Sequence, residues 1–376
     1  MMKLVGGLLL CMSTLAHAEP GKPVDLGGGL VLELSGKQLV ARDGKRCVPL
    51  HEATEITEVS VDKARHTVAI TTAVPESVRC SMTDLENFGF DELRAKIENR
   101  YAYLLHVKKD YKAAADGYAK AVALDPKWNI PAYNLASVRT ELKDLDGAIQ
   151  ALAPWLKSAP YATFVQVSLD KELQPLLARP ELVAIQAKKP GTAPGKFLGA
   201  AYSAELGLVA VPQSTGPFAQ CDSDERIELY EVASGKEVAR LPTRGVFACE
   251  ELGPGAPSSS NRSKPGPADK RDPVNAAILD KLGFATVAIE TSSEPQPGDE
   301  KWTLQFSKAK LGVVLKANNL NVLAGNKSFG TGTGMSKLGP SALLVEPRIA
   351  IVHTFEQGME MCGEDPHRSI TVVKLK

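Results

Sequence analysis

DYKAAADGYAKAVALDP, residues 110–126, and DLDGAIQALAPWLKSAP, residues 144–160, decide how the middle of this chain folds. In the first, Ala114, Tyr118, Ala121 and Val122 fall at i, i+4, i+7 and i+8, which is one face of a helix. Pro126 then stops the helix, because proline has no N–H to continue the ladder. The second stretch repeats the face with Ala148, Leu152, Trp155 and Leu156 and ends on Pro160. Ala114, Tyr118, Ala121 and Pro126 thus recur 34 residues later as Ala148, Leu152, Trp155 and Pro160. A fixed period of this size is the signature of stacked helical hairpins, and the small residues at 114 and 148 let the two helices of each hairpin approach closely.

On these residues the region from 93 to 160 resembles the tetratricopeptide repeat (TPR) family, whose unit is a 34-residue helical hairpin. Tyr101, Ala102 and Leu105 occupy the large, small, large positions of the first hairpin's leading helix, and Leu135 and Ala136 match the first two in the second copy. The chain departs from the pattern at Glu98 and Ala132, where the family often has tryptophan, and at Arg139, where it usually has a large apolar residue. The resemblance covers two repeats. Because a hairpin needs a neighbour to bury its outer face, the tail that follows, to about residue 188, is expected to be a degenerate capping unit. The resemblance implies a groove lined by the leading helices, with Asn99, Tyr103, His106, Tyr133, Ser137 and Thr140 as its partner-binding residues and Lys96 and Ile130 beside them. That mixed, aromatic set suits a peptide or a partner helix. The cluster of Lys, Arg and Asn with which some repeats grip a C-terminal carboxylate is thin here.

Residues 1–18 read as an export signal: Lys3 gives a positive start, Leu4 to Met12 a short apolar run, and Ala16-His17-Ala18 a small-x-small cleavage sequence. Leu10 stands where a lipoprotein signal needs a small residue, so Cys11 does not favour lipid attachment, and the apolar run is too short to span a bilayer. The expectation is a protein of the periplasm or the extracellular space. Hydrophobic residues at 44% and charged residues at 23% exclude a disordered chain. Lys+Arg and Asp+Glu are both 44, so no global field draws the chain to nucleic acid or an anionic surface. Removing the signal leaves five cysteines. Proximity suggests Cys47 with Cys80 and Cys221 with Cys249, leaving Cys362 unpaired, although Cys221 with Cys362 stays open.

The fold class expected is α+β with several domains. Residues 19–82 form a small β-unit, in which LVLEL, QLVA, ITEVSV and HTVAIT are strands and Asp43-Gly44 is a hairpin turn. The helical module takes 84–188, a Pro/Gly linker 189–197, and a C-terminal antiparallel β-domain, sandwich or blade-like, 198–376. Within that domain, 254–273 is a flexible Pro/Ser/Gly loop, Pro273 to Phe284 a helix, and GLVAV, RIELYEV, KEVARL, VFACE, FATVAIE, WTLQF, LGVVLK and LNVLA are strands. Leu208 to Val232 and Ile349 to Leu375 share a strand–cysteine–acidic loop–strand order.

Catalytic signatures are weak. There is no C-x-x-C, no H-E-x-x-H and no G-x-S-x-G, and Ala324 to Lys337, though Gly-rich with lysines, lacks the order of a phosphate-binding loop and reads as a loop between strands. Asp222, Asp224 and Glu225 lack calcium-loop spacing. No catalytic residue, metal or cofactor is expected. The function expected is a non-catalytic scaffold that binds a peptide or protein through the helical groove. Two alternatives stand beside it: an envelope enzyme or metal-binding protein with its site around His353 and His367, and a structural spacer whose groove holds nothing.

Overall fold

A computed structural model describes residues 16–17, 23–35, 38–44, 46–51, 56–62, 64–73, 83–192, 200–215, 224–242, 273–291, 296–297, 301–306, 311–316, 320–324, 327–331, 341–345, 349–356 and 367–374. It is a mixed α+β chain whose strands pair antiparallel in small sheets. The chain divides into two compact units, residues 1–152 and 153–376.

In the first unit a hairpin turns one residue later than expected from Asp43-Gly44: Asp43 is the last residue of its strand and faces Arg46, and Gly44, at φ 59°, follows it. This turn joins β4 (Gln38–Asp43) to β5 (Arg46–His51); with β2 (Val24–Gly27) and β3 (Leu30–Ser35) they make a four-stranded meander. A second sheet has the order β1-β6-β7-β8, from β1 (Ala16–His17), β6 (Ile56–Asp62), β7 (Thr67–Ala73) and β8 (Thr83–Gly89). The last of these, TDLENFG, alternates too little in polarity to be read as a strand, yet it pairs along its whole length with β7. Alternation supplies the apolar faces: Leu30 and Leu32 of β3, Val61 of β6 and Val68 of β7 are all fully buried.

Those faces meet helix α1 (Phe90–Val107). Phe90, Leu93 and Ile97 share one core with Leu26, Leu30, Leu32, Val61 and Val68, and Tyr101 packs against its edge. The stripe at i, i+3 and i+7 therefore covers the β-structure. The helix begins sharply because Gly89 N–H donates to the Glu92 carboxylate (3.3 Å), Phe90 N–H donates to the His66 carbonyl (3.0 Å), and the His66 ring stacks on Phe90 at 5.2 Å. Arg46 ties the sheet to the helix by ion pairing with Glu98 and lying 5.9 Å over the Tyr101 ring. Glu98, out of place in the repeat pattern, is thus a docking residue for the β-unit.

Two helical hairpins follow: α1 with α2 (Tyr111–Leu124), then α3 (Asn129–Glu141) with α4 (Leu145–Ser158). Their turns are alike. Lys109 and Lys143 take positive φ of 64° and 65°, and the next amides, Asp110 and Asp144, donate to Leu105 (2.9 Å) and Arg139 (2.8 Å) carbonyls. Asp110 and Asp144 then cap the following helices by accepting from Ala113 N–H (3.3 Å) and Gly147 N–H (2.9 Å). The interior of the first hairpin is Ala102, Ala114 and Tyr118, with Leu135 and Val138 contributed by α3. Close approach also depends on Gly117, where an added Cβ would lie 2.9 Å from that of Ala102. Arg139 serves the second turn, donating to the Gly147 carbonyl at 2.7 Å. Both charged departures from the repeat pattern are therefore occupied by local or docking contacts.

The second unit begins within α4. Helix α5 (Pro160–Leu169), a 3-10 turn (Gln174–Ala178) and the short α6 (Pro180–Val183) lead to Ala187 and Gly191, whose amides donate to the Lys281 (3.0 Å) and Asp280 (2.7 Å) carbonyls. A five-stranded sheet of order β12-β11-β10-β9-β13 is built from β9 (Ala201–Ser203), β10 (Leu208–Thr215), β11 (Asp224–Glu231), β12 (Glu237–Pro242) and β13 (Ala285–Thr286). Helix α7 (Pro273–Lys281) precedes β13, and α5 packs against both β12 and α7. Ile227, Glu228, Leu229 and Tyr230 are all buried, so β11 is covered on both faces. A four-stranded sheet, β14-β20-β21-β22, provides the second cover; its strands are β14 (Ile289–Thr291), β20 (Ser341–Val345), β21 (Ile349–Glu356) and β22 (His367–Lys374). Val209, Val211, Tyr230 and Val232 share one apolar core with Val345, Ile349, Ile351 and Val372. Both members of the sequence echo are thus adjacent antiparallel pairs, β10–β11 and β21–β22.

The run FATVAIE, expected as one strand, is split, Ala285–Thr286 joining one sheet and Ile289–Thr291 the other. A third sheet runs β15 (Gln296–Pro297), β16 (Lys301–Phe306), β17 (Leu311–Lys316), β18 (Leu320–Ala324) and β19 (Lys327–Thr331) in sequence order. Strand β19 lies inside the Gly-rich stretch read as a loop, and it pairs with β18 from Leu320–Thr331 to Ala324–Lys327. VFACE and most of the 254–273 loop lie outside the described residues.

Candidate partner-binding face

Helices α1 and α3 hold corresponding places in the two hairpins, and a side-chain amide pair joins them: Asn134 Nδ2 donates to Asn99 Oδ1 at 3.0 Å. Around this pair, Tyr103 is 46% exposed and Ile130 50%, so about half of each residue is open to a partner. The Arg100 guanidinium lies 5.7 Å over the Tyr103 ring. On the other side the Lys96 ammonium sits 5.2 Å from the Phe88 and Trp128 ring centroids and 4.0 Å from Glu92 Oε1. Two cations, two amides and exposed tyrosine and isoleucine side chains therefore occupy one helical surface.

The six residues expected to line a groove are not placed alike. Asn99 and Tyr103 stand on the surface just described, and Tyr133 is half-buried. Ser137 and Thr140 are buried, and the Thr140 hydroxyl donates to the Ala136 carbonyl at 2.8 Å. His106 faces the hairpin interior: its Nδ1 is 3.5 Å from the Tyr118 hydroxyl, and its ring meets those of Tyr111 and Tyr118 edge-on. Sequence reasoning missed Asn134, Arg100 and Trp128; Asn134 follows Asn99 by one repeat plus one residue, an offset that a strict 34-residue register overlooks.

The second polar cluster lies on β11. Glu228, 4% exposed, accepts from Arg226 Nε at 2.6 Å and from the Tyr230 hydroxyl at 2.5 Å, and in the sheet it stands opposite Val211 and Arg240. Arg240 is itself held by Glu237. The carboxylate is thus satisfied by its own strand, as a buried charge requires. Burial first, then the hydrogen bond to Glu228 and the Glu228 and Glu237 charges, push the Tyr230 phenol well above its ordinary value of about 10. Tyr161 is raised in the same direction, by burial and by the Glu231 charge. The folded state therefore keeps phenolic protons that the unfolded chain releases above about pH 10, so this contribution is complete below that pH and declines progressively as pH rises above it towards the higher folded-state value. The urea midpoint of the second unit should fall between about pH 8 and about pH 10.5, and Tyr230→Phe should flatten that fall while lowering the midpoint at about pH 8. An unchanged slope in Tyr230→Phe would refute this assignment.

His353 and His367 lie on β21 and β22, with their side chains outside the described set, and Asp224 and Glu225 open β11. Cys47 is on β5, while Cys80, Cys221, Cys249 and Cys362 lie outside the described residues, as does Asp222. Among the described residues, no group of three or more His, Cys, Asp or Glu could hold a metal ion, and no helix is long and apolar enough to cross a membrane. In comparisons with known proteins, no family model, no curated protein and no solved structure matches this chain.

Proposed function

We propose that this protein is an exported, non-catalytic scaffold of the tetratricopeptide type that binds a peptide or protein partner on the α1–α3 face. The observation that carries the reading is the Asn99–Asn134 hydrogen bond, which joins corresponding helices of two hairpins, with Tyr103 and Ile130 exposed beside it. Repetition of the Lys109–Asp110 turn at Lys143–Asp144 supports the repeat assignment, since hydrogen bonding and backbone sign agree at both places. On this reading the β-structure before α1 closes the open end of the array by burying Phe90, Leu93 and Ile97, as a terminal repeat otherwise must. The two C-terminal sheets that share an apolar core support a sandwich.

The binding reading is tested by capture from the host envelope with the mature chain as bait, beside a Tyr103→Ala, Ile130→Ala variant. Truncating two exposed side chains should change stability by less than about 0.5 kcal/mol each. Loss of central contact residues should weaken partner retention about thirtyfold or more. Val183→Ala, exposed on α6, serves as the control and should retain the partner. Equal retention by all three proteins would remove the α1–α3 face as the binding site.

A further inference from the structure

The structure carries an observation that the export reading leaves unused: the backbone of Ala16–His17 is paired in a sheet. Ala16 stands opposite Val61 and His17 opposite Ser60, and β1 is the neighbour of β6 on the side away from β7. Val61 is fully buried in the core shared with α1, so β6 is a fixed template for this edge pairing. Ala16 and His17 are also the first two residues of the small-x-small sequence that ends at Ala18. A peptidase must bind its substrate as a free extended strand, and backbone groups already bonded to β6 cannot serve it at the same time.

We propose that folding of the first unit masks the signal-cleavage site, so that removal of residues 1–18 has to precede closure of β1 on β6. The inference rests on the export reading. The step is hydrolysis by the exporting cell's signal peptidase: water adds across the Ala18–Glu19 peptide bond, leaving a carboxylate on Ala18 and an amine on Glu19. After cleavage, residues 16 and 17 are gone and cannot pair with the edge of β6.

The test compares three substrates of purified signal peptidase in detergent: the folded full-length chain, the same chain freshly diluted from urea, and a synthetic peptide of residues 8–25. The folded chain should be cut about tenfold more slowly than the other two, because cleavage then waits on local opening of the pair. His17→Gly leaves both small residues in place but weakens the strand; it should speed cleavage of the folded chain and leave the peptide's rate unchanged. Equal rates for folded chain and peptide, or no gain with His17→Gly, would overturn the masking proposal alone. A peptide left uncut after Ala18 would overturn the export reading and the proposal with it.

Discussion

Gly191→Ala is expected to destabilise the second unit by about 3 kcal/mol, enough to lower its unfolding midpoint markedly. An added Cβ would lie 2.0 Å from the Phe284 carbonyl oxygen, 2.5 Å from the Phe284 nitrogen and 2.7 Å from the Gly283 carbonyl carbon. All three are backbone atoms, so no side-chain rotation relieves the overlap. The segment cannot simply slide away either. Ala187 and Gly191 donate to the end of α7, Lys188 N–H donates to Glu205 at 2.9 Å, and Thr192 bridges Ala285. Relief would require giving up several of these bonds, each worth about 1 kcal/mol net. Lys189→Ala, exposed two residues earlier, should change stability by less than about 0.5 kcal/mol. Urea unfolding of the three proteins decides it, and a Gly191→Ala midpoint equal to that of Lys189→Ala would show that the chain does not cross Phe284 this closely.

That crossing marks the limit of what could be read from sequence. Lys188 to Lys196 has a linker's composition, and nothing local in it announces that Gly191 lies against Phe284, almost a hundred residues on. Features set by neighbours in sequence were legible: the faces of α2 and α4, the stops at Pro126 and Pro160, a hairpin within one residue of Asp43-Gly44, and the alternation of β3, β4, β6 and β7. Helical period and turn chemistry act over a few residues, so they leave a pattern. Pairings of distant segments leave none. The use of Glu98 depends on Arg46, and the strand character of TDLENFG depends on β7. FATVAIE divides because two different sheets claim its two ends. The candidate face shows the same split. Asn99 and Tyr103 follow from the register of α1, whereas the burial of Ser137 and Thr140 reflects packing around α3 that a repeat pattern with Ser and Thr does not encode.

Tyr118→Ala should cost the first unit about 3–5 kcal/mol, the range for deleting a large buried ring. Tyr118 is fully buried at the middle of α2 and packs with Ala102, Ala114, Leu135 and Val138, so it touches the helix before it and the helix after it. If the hairpins form the repeat array proposed above, stability is the sum of each hairpin's own contacts and those with its neighbour, and this one side chain contributes to both. The loss should therefore spread: amide hydrogen exchange should rise in α1, α2 and α3 together. Tyr118→Phe keeps the ring and its edge contact with His106, centroids 6.2 Å apart, and should cost no more than about 1.5 kcal/mol. The ratio of the two effects separates packing from polar contacts. Should exchange rise in α2 alone, the hairpins would be independent helices lying side by side, and the shared core of α1, α2 and α3 would have to be abandoned along with the repeat reading built on it.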